Sequence, residues 1–251
     1  MLSPPEIIAF SAPVLLIAYS VFGMTGFGAT IIAVPILIHV MPLQFAVPLS
    51  VLFDMTCTAV VGGSNRRLVS LPELKRLFPW MLIGIAVGTI LLDKLGTRWP
   101  LIALGVFVLA VCARGLLAAQ AVPKPSIHPF WALPFGLVGG VFSALFGTGG
   151  PIYTIYLARQ LTDVDKFRAT IAVVVLISGI TRVVTFGSAG LYSQSSILVV
   201  AAALLPIALL GAFVGSKLRT RVSQALLKKL ILVLLAAAGA SALYRGLMSD
   251  A

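Results

Sequence analysis

Long apolar runs dominate the chain, and short polar links separate them. Six runs approach the length of about 20 residues with which a helix crosses a bilayer: residues 43–62, 77–95, 100–119, 168–187, 197–216 and 226–246. Four shorter runs form two close pairs: 7–22 with 27–40, and 130–146 with 150–158. The pattern predicts an all-α protein with six membrane-crossing helices and two pairs of shorter helices.

Composition places this helical chain in a membrane. Of its 251 residues, 60% are hydrophobic and only 10% are charged, and the mean hydropathy is +1.11. A soluble domain carries far more charge on its surface. The net charge of +11 lies mostly in the short links, which is typical of positive-inside anchoring and not of nucleic-acid binding. We therefore expect a multi-pass protein of the cell membrane, the inner membrane in a bacterium, with lipid and not nucleic acid around it.

Residues that hold metals or cofactors are few and scattered. Cys57 and Cys112 lie inside apolar runs without a CxxC motif, and His39 and His128 lie in links. We interpret them as buried helix cysteines and surface histidines. No predicted span contains a histidine for hydrolytic chemistry, and the chain has no GxxxxGK[ST] loop for ATP. The sequence predicts no metal, no cofactor and no enzyme.

The two halves of the chain resemble each other. The segment MTGFGATIIAVPIL matches LFGTGGPIYTIYL, and MLIGIAVGTIL matches IALLGAFVGSKL. The second match contains a GxxxG pair in each half, which lets membrane helices approach closely: Gly84 with Gly88, and Gly211 with Gly215. The match predicts an internal duplication within one transmembrane domain, with these parts: residues 1–121 as the first repeat, 122–129 as a cytoplasmic linker and 130–251 as the second repeat.

Basic residues in the links indicate that the repeats are inverted. The link 64–76 is cationic in the first half, whereas its counterpart 188–196 has no charge. Conversely, 38–45 lacks Lys and Arg, and its counterpart 159–168 is cationic, as is the later link 217–229. Because cationic links stay in the cytoplasm, equivalent links face opposite sides. Both chain ends are then expected outside the cytoplasm.

The two pairs of short runs predict re-entrant hairpins. Arms of this length rise too little, at 1.5 Å per residue, to cross the hydrocarbon twice. Each hairpin would turn inside the membrane at a glycine-rich tip, Thr25 to Ala29 in one half and Gly147 to Gly150 in the other. Irregular backbone at that depth must be buried or line a cavity. Broken helices in inverted repeats are typical of secondary transporters.

The tips have the features of an anion site. Pro151 starts a helix whose unbonded N–H groups and positive dipole end attract anions. Glycines let a ligand approach the backbone, and threonines add hydroxyl donors. The alternative, that the glycines only permit tight packing, stays open. The candidate substrate-binding residues are Thr25, Gly26, Gly28, Gly147, Thr148, Gly149 and Gly150, with Ser50 and Thr170 from the helices after the tips.

Two charged residues, Asp54 and Arg182, lie inside predicted spans, where charge is costly and usually functional. Arg182 is a further candidate to bind the substrate anion, and Asp54 to carry a coupling proton. A structural ion pair between the two is the third alternative. Arg114, near the end of a span, is expected to reach the membrane interface.

The duplicated elements GFGATIIAVPIL and FGTGGPIYTIYL, each followed by a helix that opens with small or hydroxyl residues (AVPLS and FRATIA), resemble the sulfite exporter TauE/SafE family. The resemblance spans nearly the whole chain. It implies the substrate class, with export of small sulfur-containing anions, sulfite or organosulfonates such as sulfoacetate. Together with the inverted repeats this predicts a secondary transporter, for which a proton or sodium is the candidate coupling ion. An anion channel, a carrier for another small oxyanion or a carboxylate, and assembly into a homo-oligomer stay open.

Overall fold

A computed structural model describes residues 4–25, 28–61, 66–94, 98–117, 127–193, 195–218 and 224–248. Over these ranges the chain forms helices and no strand. The ten α-helices are α1 (Pro4–Thr25), α2 (Ala29–Leu37), α3 (Leu43–Val61), α4 (Leu71–Lys94), α5 (Arg98–Leu117), α6 (Ala132–Phe146), α7 (Gly150–Gln160), α8 (Val164–Ser188), α9 (Ser195–Leu218) and α10 (Gln224–Met248). The predicted all-α fold is confirmed. Cys57 and Cys112 are buried and unpaired, as predicted.

Six of these helices are long and apolar enough to cross a membrane: α1, α3, α4, α6 with the turn before it, α8 and α9. This set contains the first arm of each hairpin, α1 and α6, and so corrects the prediction that both arms are too short to cross. α1 has 22 residues, because neither Pro13 nor Gly23 ends it, and membrane helices tolerate both residue types inside them. α2 and α7 have 9 and 11 residues, about 14 and 17 Å. Only the second arm of each hairpin is therefore too short to cross.

The predicted spans 100–119 and 226–246 appear as α5 and α10. In the described residues their apolar stretches are Arg98–Ala113 and Leu232–Met248, shorter than those of the six helices above. Of Arg114 only the backbone, within α5, is described.

The long helices pack in pairs that join the two halves. α4 packs along α6, α9 packs along α1, and α5 packs along α10. Gly84 and Gly88 lie against the backbone of α6, and Gly211 and Gly215 lie against that of α1. An ideal Cβ on Gly215 would stand 1.9 Å from the Ser20 carbonyl oxygen. The prediction that the GxxxG pairs serve close helix packing is confirmed.

Contacts along the pairs give the helix directions. Gly105 of α5 lies against Leu243 of α10, and Ile102 of α5 lies against Gly246. Since a higher residue number in one helix meets a lower one in the other, α5 and α10 run antiparallel. The same holds for α3 and α8, because the Tyr192 hydroxyl, just after α8, donates to a carbonyl near the start of α3 at 3.4 Å.

The α1–α9 contact provides a stability prediction. We expect Gly215→Ala to lower the free energy of unfolding by about 1–3 kcal/mol, because the added methyl overlaps backbone that cannot move aside alone. Gly187→Ala is the matched control, since a Cβ there meets nothing within 4 Å. Thermal unfolding of the purified protein in detergent measures both. Equal unfolding midpoints for the two variants would mean that the α1–α9 contact accommodates the added methyl group without loss of stability.

Candidate functional site

Two helix starts, one in each half, face the same cavity. Gly28, just before α2, has a φ of 94°, and Gly147, just after α6, has a φ of 70°. This left-handed backbone favours glycine. No described side chain caps the first turn of α2 or of α7. The first N–H groups of a helix have no partner inside it, so those at Gly149 and Gly150 remain available to a ligand.

The two tips touch each other. Thr30, in the first turn of α2, packs its methyl group against Gly147 of the second tip. An ideal Cβ on Gly147 would stand 2.2 Å from this methyl carbon. Glycine is therefore required at residue 147 for two reasons, its positive φ and the close approach of Thr30.

The cavity between the tips has a volume of about 40 Å³. One water molecule needs about 10–15 Å³ of such space, so the cavity has room for a few waters or one small oxyanion. Seven predicted residues line it: Gly28, Asp54, Gly147, Thr148, Gly149, Gly150 and Arg182. The structure adds Phe22, Thr30, Ile31, Met55, Thr58, Ser143, Pro151, Tyr153, Val175 and Ser178.

One wall of the cavity carries hydrogen-bond donors. Arg182, in the last third of α8, is only 3% exposed, and its Nη1 donates to the Ser143 carbonyl at 3.4 Å. Among the described residues, neither Arg182 Nε nor the buried hydroxyl of Thr148 has a partner. The hydroxyls of Ser143 and Ser178 lie 2.7 Å apart. A buried cation with hydroxyl and N–H donors around it can hold an oxyanion.

A second wall of the cavity carries a hydrogen-bonded carboxylate. Tyr19 donates to Asp54 Oδ1 at 2.8 Å, and Thr30 donates to Asp54 Oδ2 at 2.6 Å. The Tyr19 hydroxyl also lies 3.1 Å from the Ser50 carbonyl oxygen. Among the described residues, Asp54 and Arg182 form no salt bridge, although their charges interact electrostatically. The three predicted roles of Asp54 and Arg182 stay predictions.

Three predicted residues lie away from the cavity. The hydroxyls of Ser50, Thr170 and Thr25 each donate to the carbonyl one turn earlier in their own helix, at 2.8, 2.7 and 2.8 Å. None of the three is among the described residues that line the cavity, and the Thr170 hydroxyl also accepts from the Ser70 N–H. Gly26 lies outside the described residues.

Several lining residues were missed, although some had a local signal. Thr30 and Tyr153 lie within one helical turn of the tip glycines, where a helix returns to the same face. Ser143 lies one turn before Gly147 in the same way. Tyr19, which holds Asp54 but is not among the lining residues, has no such signal, apart from the rule that a buried tyrosine hydroxyl usually has a hydrogen-bond partner.

Broken helices that meet at a buried polar cavity are typical of membrane transporters. Comparison with known proteins gives the family. The family model for the sulfite exporter TauE/SafE matches residues 11–242. The chain is also 31% identical over 197 residues to the "probable inner membrane transporter protein TsaS" of Comamonas testosteroni, an alignment that covers 77% of this chain and 80% of the relative.

The chain belongs to the sulfite exporter TauE/SafE family, which confirms the resemblance seen in the sequence. It is a multi-pass membrane transporter and not an enzyme. No solved structure matches it.

Proposed function

We propose that this protein is a secondary transporter that exports small sulfur-containing anions, sulfite or organosulfonates, and binds them between the two glycine tips. One observation carries the proposal: the buried guanidinium of Arg182 shares a cavity with the start of α7, which no described side chain caps, and with the Thr148 hydroxyl, which has no partner among the described residues. Helix starts and guanidinium groups are the usual ligands of oxyanions. The family's description supports the sulfur chemistry, and the relative's name supports an inner membrane.

We infer that residues 1–121 and 130–251 are inverted repeats joined by a cytoplasmic linker at 122–129, with both termini outside. The helix directions support this arrangement. α5 and α10 occupy equivalent positions in the two halves and run antiparallel, as do α3 and α8. Helices related by an axis in the membrane plane must run in opposite directions. This architecture allows the site to open alternately to either side of the membrane.

Labelling tests the orientation. We expect a cysteine at Ser193 to react with a membrane-impermeant thiol reagent from outside intact cells, and a cysteine at Lys75 to react only after the cells are opened. Both side chains are exposed. Ser193 follows α8 and Lys75 lies near the start of α4, in links that are counterparts in the two halves. Reaction of both residues from the same side would contradict inversion.

Gly150 tests whether the start of α7 contacts the anion. A Cβ at Gly149 would stand 2.5 Å from the Gly139 carbonyl oxygen, whereas at Gly150 the nearest atom is a Val175 methyl at 4.0 Å. Gly150→Ala should therefore fold and obstruct only the ligand. Losing one charge-assisted hydrogen bond, worth about 1.5–3 kcal/mol, should weaken sulfite binding about tenfold or more. Unchanged sulfite affinity in the folded variant would remove the helix start from the site.

Flux measurements test the function itself. Purified protein in proteoliposomes should exchange internal labelled sulfite for external sulfite or sulfoacetate, and simple carboxylates should compete poorly. Trans-stimulated exchange separates a carrier from a channel, because a channel does not need an anion on the opposite side. Faster exchange of carboxylates than of every sulfur anion would overturn the proposed substrate class.

A further inference from the structure

Thr30 connects the two walls of the cavity. It is buried at 2% exposure, and its two branches have different partners. The hydroxyl donates to Asp54 Oδ2 at 2.6 Å, and the methyl group packs against Gly147. Gly147 is in turn next to Arg182, because an ideal Cβ on this glycine would stand 3.4 Å from Arg182 Nη1. A single side chain thus lies between the carboxylate and the tip that carries the donor wall.

We propose that Thr30 is a positioning residue that ties the protonation of Asp54 to the placement of the second glycine tip, and so to anion affinity. The proposal rests on the proposed function, since it assumes that the cavity binds the anion. It assigns to Thr30 a task that neither the tips nor Arg182 can perform, because none of them contacts the carboxylate by a hydrogen bond in the described structure.

The hydrogen bonds of Asp54 explain why Thr30 is the side chain that responds. An ionised carboxylate only accepts, and both of its oxygens are occupied, one by Tyr19 and one by Thr30. Protonation removes the charge that strengthens both bonds, and a hydroxyl that faces the new O–H has to accept instead of donate. Tyr19 has a second acceptor, the Ser50 carbonyl, whereas the described structure gives the Thr30 hydroxyl no other. Thr30 is therefore the side chain whose position depends most on the carboxylate, and its χ1 is freer to change when Asp54 is protonated.

Rotation of Thr30 necessarily moves its methyl group. The hydroxyl and the methyl are both attached to Cβ, so χ1 carries them together between staggered positions. A hydroxyl that leaves Asp54 takes the methyl away from Gly147. The contact between the two tips then changes when the carboxylate gains or loses a proton.

The charges around Asp54 set the expected direction. The ionisable groups that interact with it are Tyr19 from α1, Arg182 from α8 and Cys57 from α3 itself. α2 and α6 contain no ionisable residue, and those of α4 and α9 lie towards the helix ends. An ionised Asp54 repels an anion in the same cavity. Anion affinity should therefore increase as pH falls and Asp54 is protonated.

Two variants of Thr30 separate its two contacts. Thr30→Val keeps a methyl against Gly147 and removes the hydroxyl, whereas Thr30→Ser keeps the hydroxyl and removes the methyl. Thr56→Val is the control, because the Thr56 hydroxyl bonds within its own helix at 2.8 Å. The probe is methanesulfonate, which stays ionised throughout, so any pH dependence of its binding to the purified full chain belongs to the protein.

Each variant has its own expected result. Thr30→Val loses a hydrogen bond to the ionised carboxylate. The midpoint of its plot of methanesulfonate affinity against pH should therefore move about one unit to higher pH. Thr30→Ser should keep the wild-type midpoint and lose affinity roughly fourfold, the equivalent of one buried methyl group. Thr56→Val should match wild type in both. If Thr30→Val does not fold, Thr30→Ala removes the same donor and must show the same shift of the midpoint.

The outcomes distinguish this proposal from the function on which it rests. A wild-type protein that binds neither methanesulfonate nor sulfite at any pH would overturn the proposed function and this inference with it. Binding without pH dependence would overturn the inference alone. A wild-type midpoint in Thr30→Val would also overturn the inference, and so would wild-type affinity in Thr30→Ser.

Discussion

Replacing Arg182 with glutamine is expected to weaken sulfite binding about thirtyfold or more. The guanidinium is the cation in the donor wall, it is 3% exposed, and its Nε has no partner among the described residues. Charge-assisted contacts in a buried site are strong because little water competes for them. Truncating one member of a desolvated charge pair costs about 2–5 kcal/mol, which covers a range from about thirtyfold to several thousandfold in affinity.

Two further variants give this result its meaning. Arg182→Lys keeps the charge but loses the planar donor fork, so it should recover part of the affinity. Arg168→Gln removes an equal charge from an exposed residue of the same helix and should bind sulfite like wild type. Titration calorimetry on folded protein in detergent measures all three. Wild-type affinity in folded Arg182→Gln would mean that the anion is held elsewhere.

The glycine tips could be predicted because their cause is local. A left-handed glycine, a proline in the first turn of a helix and a short apolar arm are all visible within a few residues, as around Gly147 and Pro151. The directions of α5 and α10 also agree with the charge pattern of the links. The helix lengths were predicted less well, because Gly23 inside α1 looks like a break, although membrane packing tolerates it.

The partners of Asp54 could not be predicted in this way. Tyr19 and Thr30 lie 35 and 24 residues away from it, and no periodicity connects residues on three different helices. Ser50 and Thr170 show the limit of reasoning from the repeat. Their similar places in the two repeats suggested a common ligand, yet each hydroxyl bonds its own helix, an alternative that helical serine and threonine always have.

Anion binding and proton coupling should separate when Asp54 is replaced. We expect Asp54→Asn to abolish methanesulfonate flux driven by a pH gradient, because an amide has the shape of the carboxyl group but takes up no proton in this pH range. Binding should persist and lose its pH dependence, since the repulsion between an ionised carboxylate and the anion is absent. Anion exchange at equal pH, which needs no net proton movement, should continue.

Proteoliposomes allow all three measurements on one preparation, with Asp165→Asn as the control, because Asp165 is an exposed residue in the first turn of α8. That variant should retain gradient-driven flux, exchange and the pH dependence of binding. The amide introduced by Asp54→Asn can still accept from one hydroxyl and donate to the other, so Tyr19 and Thr30 keep partners and the fold should survive. Gradient-driven flux at the wild-type rate in Asp54→Asn would exclude this carboxylate as the proton carrier. Loss of exchange together with flux, in a folded protein, would assign Asp54 to the movement of the tips and not to the coupling ion.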